Sequence, residues 1–264
     1  MTDRRVIVIT GASSGIGLAA AKLFLDNGDK VYCLSRRSCP IENVISIACD
    51  ITDDSAVQSS IKEIISQSGR IDVLICNAGF GISGSVEFTD VDSAVKQFNV
   101  NFFGAVRCIH AVLPYMRTQT AGRIIVTSSV AGVIAIPFQA YYSATKAALN
   151  SLVLSLANEV KPFGIKLSAV MPGDIQTEFT AARDKITNGE DCYSAMRRSV
   201  ETMERDERTG MMPIAIAKKM YSLSVKKHPK PLSTVGIKYK ACCLLIRLLP
   251  TRLANLIVGR IYAC

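Results

Sequence analysis

The chain has 264 residues, 49% of them hydrophobic and 20% charged, enough apolar material for a buried core and no signature of disorder. Its net charge of +9 is unevenly placed: residues 1–180 set 15 Lys/Arg against 15 Asp/Glu, whereas residues 208–264 hold 11 Lys/Arg and no acid. That argues against nucleic-acid binding by the whole chain and for a local basic surface near the C-terminus.

The nine cysteines include no Cys-x-x-Cys, and only His110 and His228 could add imidazole ligands, so no metal site is expected. Cys33, Cys49 and Cys76 sit in or beside apolar runs, as small hydrophobes do. Reduced thiols point to a cytoplasmic protein. Met1-Thr-Asp-Arg-Arg leads straight into an apolar run, which leaves no room for a signal peptide. No uncharged apolar stretch reaches the ~20 residues that span a bilayer.

In chain order, Val6–Thr10 is a β-branched run suited to a strand buried on both faces. Helical spacing follows over 16–27, with Asn27-Gly28 as a stop. Strands are predicted at 31–34 and 45–49, a helix at 53–68 and a strand at 73–76. One long helix is predicted over 91–116, a strand at 123–127, a helix at 142–160 and a strand at 166–170. Residues 35–44 are too few for an ordinary crossover helix. The alternation predicts an α/β fold, a doubly wound parallel sheet with helices on both faces. The rhythm breaks after Pro172. Residues 174–212 read as a mixed, Met-rich segment, Pro213 opens a short helix to about Ser222, and residues 226–235 read as a linker. Two amphipathic segments, 237–249 and 251–262, are divided by Pro250.

Two local patterns carry chemistry. Thr10-Gly11-Ala12-Ser13-Ser14-Gly15-Ile16-Gly17 joins the first strand to the first helix. Gly11 permits a tight turn, Gly15 admits a diphosphate to the backbone, and Gly17 allows close packing, while the helix N-terminus offers free N–H groups. The second pattern is Tyr142 and Lys146, four apart on one helix face, with Ser129 thirteen residues upstream. A cation one turn away is expected to lower the phenol pKa from near ~10 and suit it to proton transfer. At the end of the second strand, where NAD sites often place an acid, stand Ser35, Arg36 and Arg37. Two guanidiniums and no carboxylate favour NADP(H) over NAD(H).

Together with Asp50, Asn77-Ala78-Gly79, Asn101 and Pro172-Gly173, these motifs over roughly residues 4–180 resemble the short-chain dehydrogenase/reductase family, in its compact single-domain branch. The resemblance implies a Rossmann-type catalytic domain over 1–235, with 174–222 as a substrate loop or lid and 236–264 as a basic helical extension. Asp50 and Ile51 would contact the adenine. Asn77, Ala78 and Gly79 would floor the ribose, and Ser13, Ser14 and Ile16 would join the glycines at the cofactor. Ser129, not Ser128, would bond the substrate oxygen, Tyr142 would be the acid/base, and Lys146 would also hold the nicotinamide ribose. Asn101 would distort its helix and hold a water leading to Lys146. Pro172, Gly173 and Thr177 would border the nicotinamide.

The implied reaction interconverts a ketone or aldehyde and an alcohol by hydride transfer. Candidate walls at 80–83, 133–138 and 174–212 suit a lipophilic substrate, and Ile136–Lys146 is similar to hydroxysteroid and retinol dehydrogenase members. A homodimer or homotetramer is implied, through helices around 101–116 and 143–160. The tail reads as a lid or subunit contact, or as a peripheral membrane contact through residues 236–264. Two other functions share parts of the pattern: an epimerase or dehydratase using Tyr-x-x-x-Lys, and an NADP-sensing scaffold without catalysis.

Overall fold

The structure, a computed structural model, describes residues 4–263. Residues 1–3 and 264, which the expected domain bounds and the reading of the N-terminus include, lie outside the described residues.

Strand β1 (Val6–Thr10) leads through the glycine loop into helix α1 (Gly15–Asp26). Then come β2 (Lys30–Ser35), β3 (Ile45–Ala48), α2 (Asp54–Ser68), β4 (Val73–Cys76) and the two-residue β5 (Ile82–Ser83). Helices α3 (Val91–Phe98) and α4 (Gly104–Thr118) precede β6 (Gly122–Thr127), α5 (Ala140–Glu159) and β7 (Ile165–Met171). The remainder is β8 (Asp184–Lys185), α6 (Met196–Arg208), α7 (Pro213–Val225), β9 (Leu232–Thr234), α8 (Ile237–Leu248) and α9 (Thr251–Tyr262).

Seven strands form one parallel sheet in the order β3-β2-β1-β4-β6-β7-β9. Each inner strand is buried on both faces, which is why its sequence is continuously apolar rather than alternating. Residues of α2, α4 and α5, among them Ile61, Val112 and Val153, cover one face. Residues of α1 and α7, among them Phe24, Ile216 and Met220, cover the other. Each fully buried aliphatic side chain contributes roughly 1.5–3 kcal/mol. The chain order reverses between β1 and β4, the switch point at which doubly wound sheets open a crevice beyond their strand ends.

Local signals set the helix ends. The Asp53 carboxylate accepts from Ala56 N at 3.1 Å and caps α2, and Gly69, at φ +71°, closes it. Asp90 caps α3 through Ser93 N at 2.6 Å.

The helix expected over 91–116 runs from Val91 to Thr118, with a π turn at Asn99–Phe103 that distorts it around Asn101. Two expectations are corrected. The 174–212 segment contains α6, whose inward side is made by Met196, Ser199, Met203 and Glu204. The 226–235 linker contains β9, an edge strand that opens directly after Pro231 and pairs with Ala169–Met171.

Candidate active site

A groove of about 690 Å³ runs across the carboxyl ends of β1, β2, β4, β6 and β7. Every expected cofactor residue lines it except Gly17, and so do Ser129, Tyr142 and Lys146. Gly17 and Asn101 stand behind the wall.

The glycine loop has the shape a diphosphate needs. Gly11 and Gly15 lie at φ +67° and +57°. A Cβ on Gly11 would fall 2.9 Å from Ala78 Cα, and one on Gly17 would fall 2.6 Å from Asn77 Nδ2. Ser14 spends no side-chain bond on capping α1, and the first bond back to the turn is Leu18 N to Ser14 O at 3.1 Å. The N–H groups ahead of it are open to an anion. Asn77 ties the loop to β4: its Nδ2 donates to the Thr10 and Gly11 carbonyls at 3.2 and 3.3 Å, and Thr127 Oγ1 donates to its Oδ1 at 3.2 Å. These residues therefore fit a dinucleotide, with the loop at the phosphates.

At the adenosine end, Arg36 and Arg37 are exposed beside Ser35. Asp50 accepts from the N and Oγ1 of Thr52, at 2.9 and 2.8 Å, which holds its carboxyl below the ordinary range. Thr177 reaches across from the far wall, 3.5 Å from where a Gly15 Cβ would stand.

At the other end, α5 carries Tyr142 and Lys146 to the tip of β6. Lys146 is buried and donates to the Thr127 carbonyl oxygen at 2.8 Å. Burial lowers its pKa to about 8. Tyr142 is pushed up to about 12, chiefly by burial, with a hydrogen bond from Ser129 pulling the other way. This corrects the expectation of a lowered phenol. The ammonium gives its hydrogen bond to the Thr127 carbonyl and stands 5.5 Å from the ring centre, so it does not offset the burial of the hydroxyl.

Ser128 and Ser129 separate clearly. Ser128 Oγ donates to the Lys146 carbonyl at 3.1 Å, away from the phenol. Ser129 Oγ accepts from Ala131 N at 3.1 Å and keeps its own proton to give. Asn101, within the π turn, exchanges two 2.9 Å bonds with the Phe80 backbone and reaches Thr145 Oγ1 at 3.3 Å. A Cβ on Gly79 would lie 3.0 Å from Asn101 Oδ1 and 3.8 Å from Lys146 Nζ, so the amide and the ammonium face the same small space.

Several lining groups carried no sequence signal. Phe179 tilts against Tyr142 with ring centres 5.7 Å apart. Behind it, Arg183 is fully buried and pairs with Glu207, whose second oxygen accepts from Thr180 Oγ1 at 2.6 Å. Tyr239 of α8 lays its ring over Gly173 and donates to Asp174 Oδ2 at 2.6 Å. Of the expected walls, Phe80 and Ile136 line the groove, whereas Phe138 turns to Tyr193. The methionines do not line it: Met196 and Met203 are packed beneath α6, and Met212 is exposed.

The family described as short chain dehydrogenase matches residues 5–187. The chain belongs to the short-chain dehydrogenase/reductase family and is an NAD(P)-dependent oxidoreductase. It is 40% identical over 238 residues to 3-ketodihydrosphingosine reductase of Bacteroides thetaiotaomicron, covering 88% of each chain. It is 37% identical to human 17-beta-hydroxysteroid dehydrogenase type 1, over 67% of this chain and 58% of that one. A short-chain dehydrogenase from Streptomyces avermitilis superposes with a TM-score of 0.87 at 27% identity, covering 98% of this chain and 97% of that one.

Proposed function

We propose that the chain is an NADP(H)-dependent reductase of a lipophilic ketone, with a long-chain aminoketone of the 3-ketodihydrosphingosine kind as its substrate class. Convergence of Ser129, Tyr142 and Lys146 at one end of a dinucleotide-shaped groove carries the catalytic part of this conclusion. The bound nicotinamide supplies the hydride. Ser129 and Tyr142 donate hydrogen bonds to the substrate oxygen, where negative charge develops, and Tyr142 gives it a proton. Lys146 restores that proton, and the space shared with Asn101 Oδ1 suits a water leading outward.

Charge along the groove supports both the cofactor and the substrate class. Arg36 and Arg37 mark the adenosine end with cations able to pair a 2′-phosphate. Asp174 and Glu178, both after β7, mark the substrate end with carboxylates, while the charge of Glu207 is taken by Arg183. An ammonium beside the ketone matches that end, and a neutral steroid does not use it. Similarity to the sphingoid-base reductase over 88% of both chains agrees with the same substrate class.

The test is oxidation of NADPH and of NADH with 3-ketodihydrosphingosine, its N-acetyl derivative, a 17-ketosteroid and a retinoid aldehyde. NADPH with the free amine gives the highest kcat/KM. Turnover of the steroid alone, or equal use of the N-acetyl derivative, overturns the substrate class. No turnover of any carbonyl favours a scaffold.

We further propose a homodimer or homotetramer in the cytoplasm. Exposed Phe103 on the turn before α4 and Leu154 on α5 support a contact there. Analytical ultracentrifugation tests it, and a monomer at micromolar concentration contradicts it.

A further inference from the structure

Among the described residues no helix is long and apolar enough to cross a membrane. The two C-terminal helices nevertheless present an unusual surface. On α8, Ile237, Ala241, Leu244 and Leu248 fall at i, i+4, i+7 and i+11, one stripe along the helix. Ile237 is 86% exposed, Leu244 60% and Leu248 75%. The stripe lies opposite the side that Tyr239 and Cys243 turn inward. Lys240 and Arg247 flank it on one side, and Lys238 lies on the other beside exposed Leu245. On α9, exposed Leu253 and Leu256 share a face with Arg252 and Arg260, while Ala254 and Val258 are buried.

We propose that the outward faces of α8 and α9 dock on an anionic lipid bilayer. Charge decides the occupant. Residues 208–264 hold 11 Lys/Arg and no carboxylate. A second copy placed symmetrically on this face would set cations against cations. A bilayer carrying anionic headgroups meets both features, the leucines entering the acyl boundary and the cations pairing with phosphates.

The face is fixed to the catalytic body. The Tyr239 ring covers Gly173, its hydroxyl holds Asp174, and α9 packs on α6, which carries Glu207. Asp174 and Glu207 line the substrate end of the groove. Docking thus sets that end beside the lipid, where a lipophilic ketone partitions. This last step rests on the substrate proposed above, while the docking itself does not.

The test is flotation of the full chain, without substrate, on vesicles of phosphatidylcholine and on vesicles of phosphatidylcholine and phosphatidylglycerol in equal parts. The protein floats with the anionic vesicles and at least tenfold less with the neutral ones. The triple variant Lys238→Glu, Lys240→Glu, Arg247→Glu binds on the order of a hundredfold more weakly. The double variant Leu244→Glu, Leu248→Glu stays in solution, yet keeps NADPH-dependent reduction of a water-soluble ketone and its sedimentation coefficient. Three results would overturn the proposal: no flotation of the intact chain, flotation unaffected by the charge reversals, or dissociation of an oligomer by the leucine changes. The last would assign the face to a second copy.

Discussion

The Lys146 ammonium gives its hydrogen bond to the Thr127 carbonyl at 2.8 Å and stands 5.5 Å from the centre of the Tyr142 ring. The strand end, rather than the phenol, fixes where the cation sits. With Tyr142 near 12 and Lys146 near 8, the group that changes charge across the working range is the lysine.

A sign follows for pH. In the proposed mechanism ketone reduction draws a proton from Tyr142, which Lys146 restores while it is charged, so the rate should fall as pH rises through about 8. Alcohol oxidation needs the neutral amine to accept a proton, so its rate rises over the same interval. Initial rates in both directions across the alkaline range check this. Lys146→Arg should move both limbs upward, and limbs that stay in place would assign them to another group.

Ser129→Ala should lower kcat by roughly 10²–10³-fold, as loss of one donor to a developing oxyanion does. Ser128→Ala should change kcat little, because that hydroxyl is spent on the Lys146 carbonyl. Steady-state kinetics on the two variants distinguish the serines, and equal losses would contradict their division.

Arg36→Ala with Arg37→Ala should raise KM for NADPH about tenfold or more and leave NADH nearly unchanged. Adding Ser35→Asp should reverse the preference, because a carboxylate there repels a 2′-phosphate and accepts from a 2′-hydroxyl. An unchanged NADPH/NADH ratio would remove the guanidiniums from cofactor choice.

The Arg183–Glu207 pair should be costly to break from one side. Arg183 has no exposed side-chain surface and Glu207 little, so Arg183→Met or Glu207→Gln alone should destabilise by about 3–5 kcal/mol. The double change should recover much of that. Glu207 raises the Tyr142 pKa and Arg183 lowers it, so Glu207→Gln should also move the phenol downward. Denaturant melts and a spectroscopic tyrosine titration read the two effects separately, and additive losses would show that the charges are uncoupled.

What the sequence revealed follows from what each element buries. Strands β1, β4 and β6 are covered on both faces, so their apolar runs stand out, and with them the loops at their ends that carry Gly11, Asn77 and Ser129. Helix α6 packs through two methionines, a serine and a glutamate, and its outer side is charged, so it reads as an irregular segment. Strand β9 is only three residues long and follows a proline. Phe179, Arg183, Glu207 and Tyr239 act through contacts across 24 to 65 positions of chain, and no spacing announces such contacts. The Tyr142 shift is not legible in the sequence for a related reason: spacing places the lysine nearby, but only the fold shows both groups desolvated and the ammonium turned to Thr127.

The most direct test of the central claim is Tyr142→Phe, assayed for NADPH-dependent ketone reduction and for NADPH binding by fluorescence titration. On the proposed mechanism the phenol is the proton donor and the glycine loop holds most of the cofactor, so turnover should fall by about 10³-fold or more while NADPH affinity stays within about twofold. Near-normal turnover in this variant would contradict the assignment of Tyr142 as the catalytic acid.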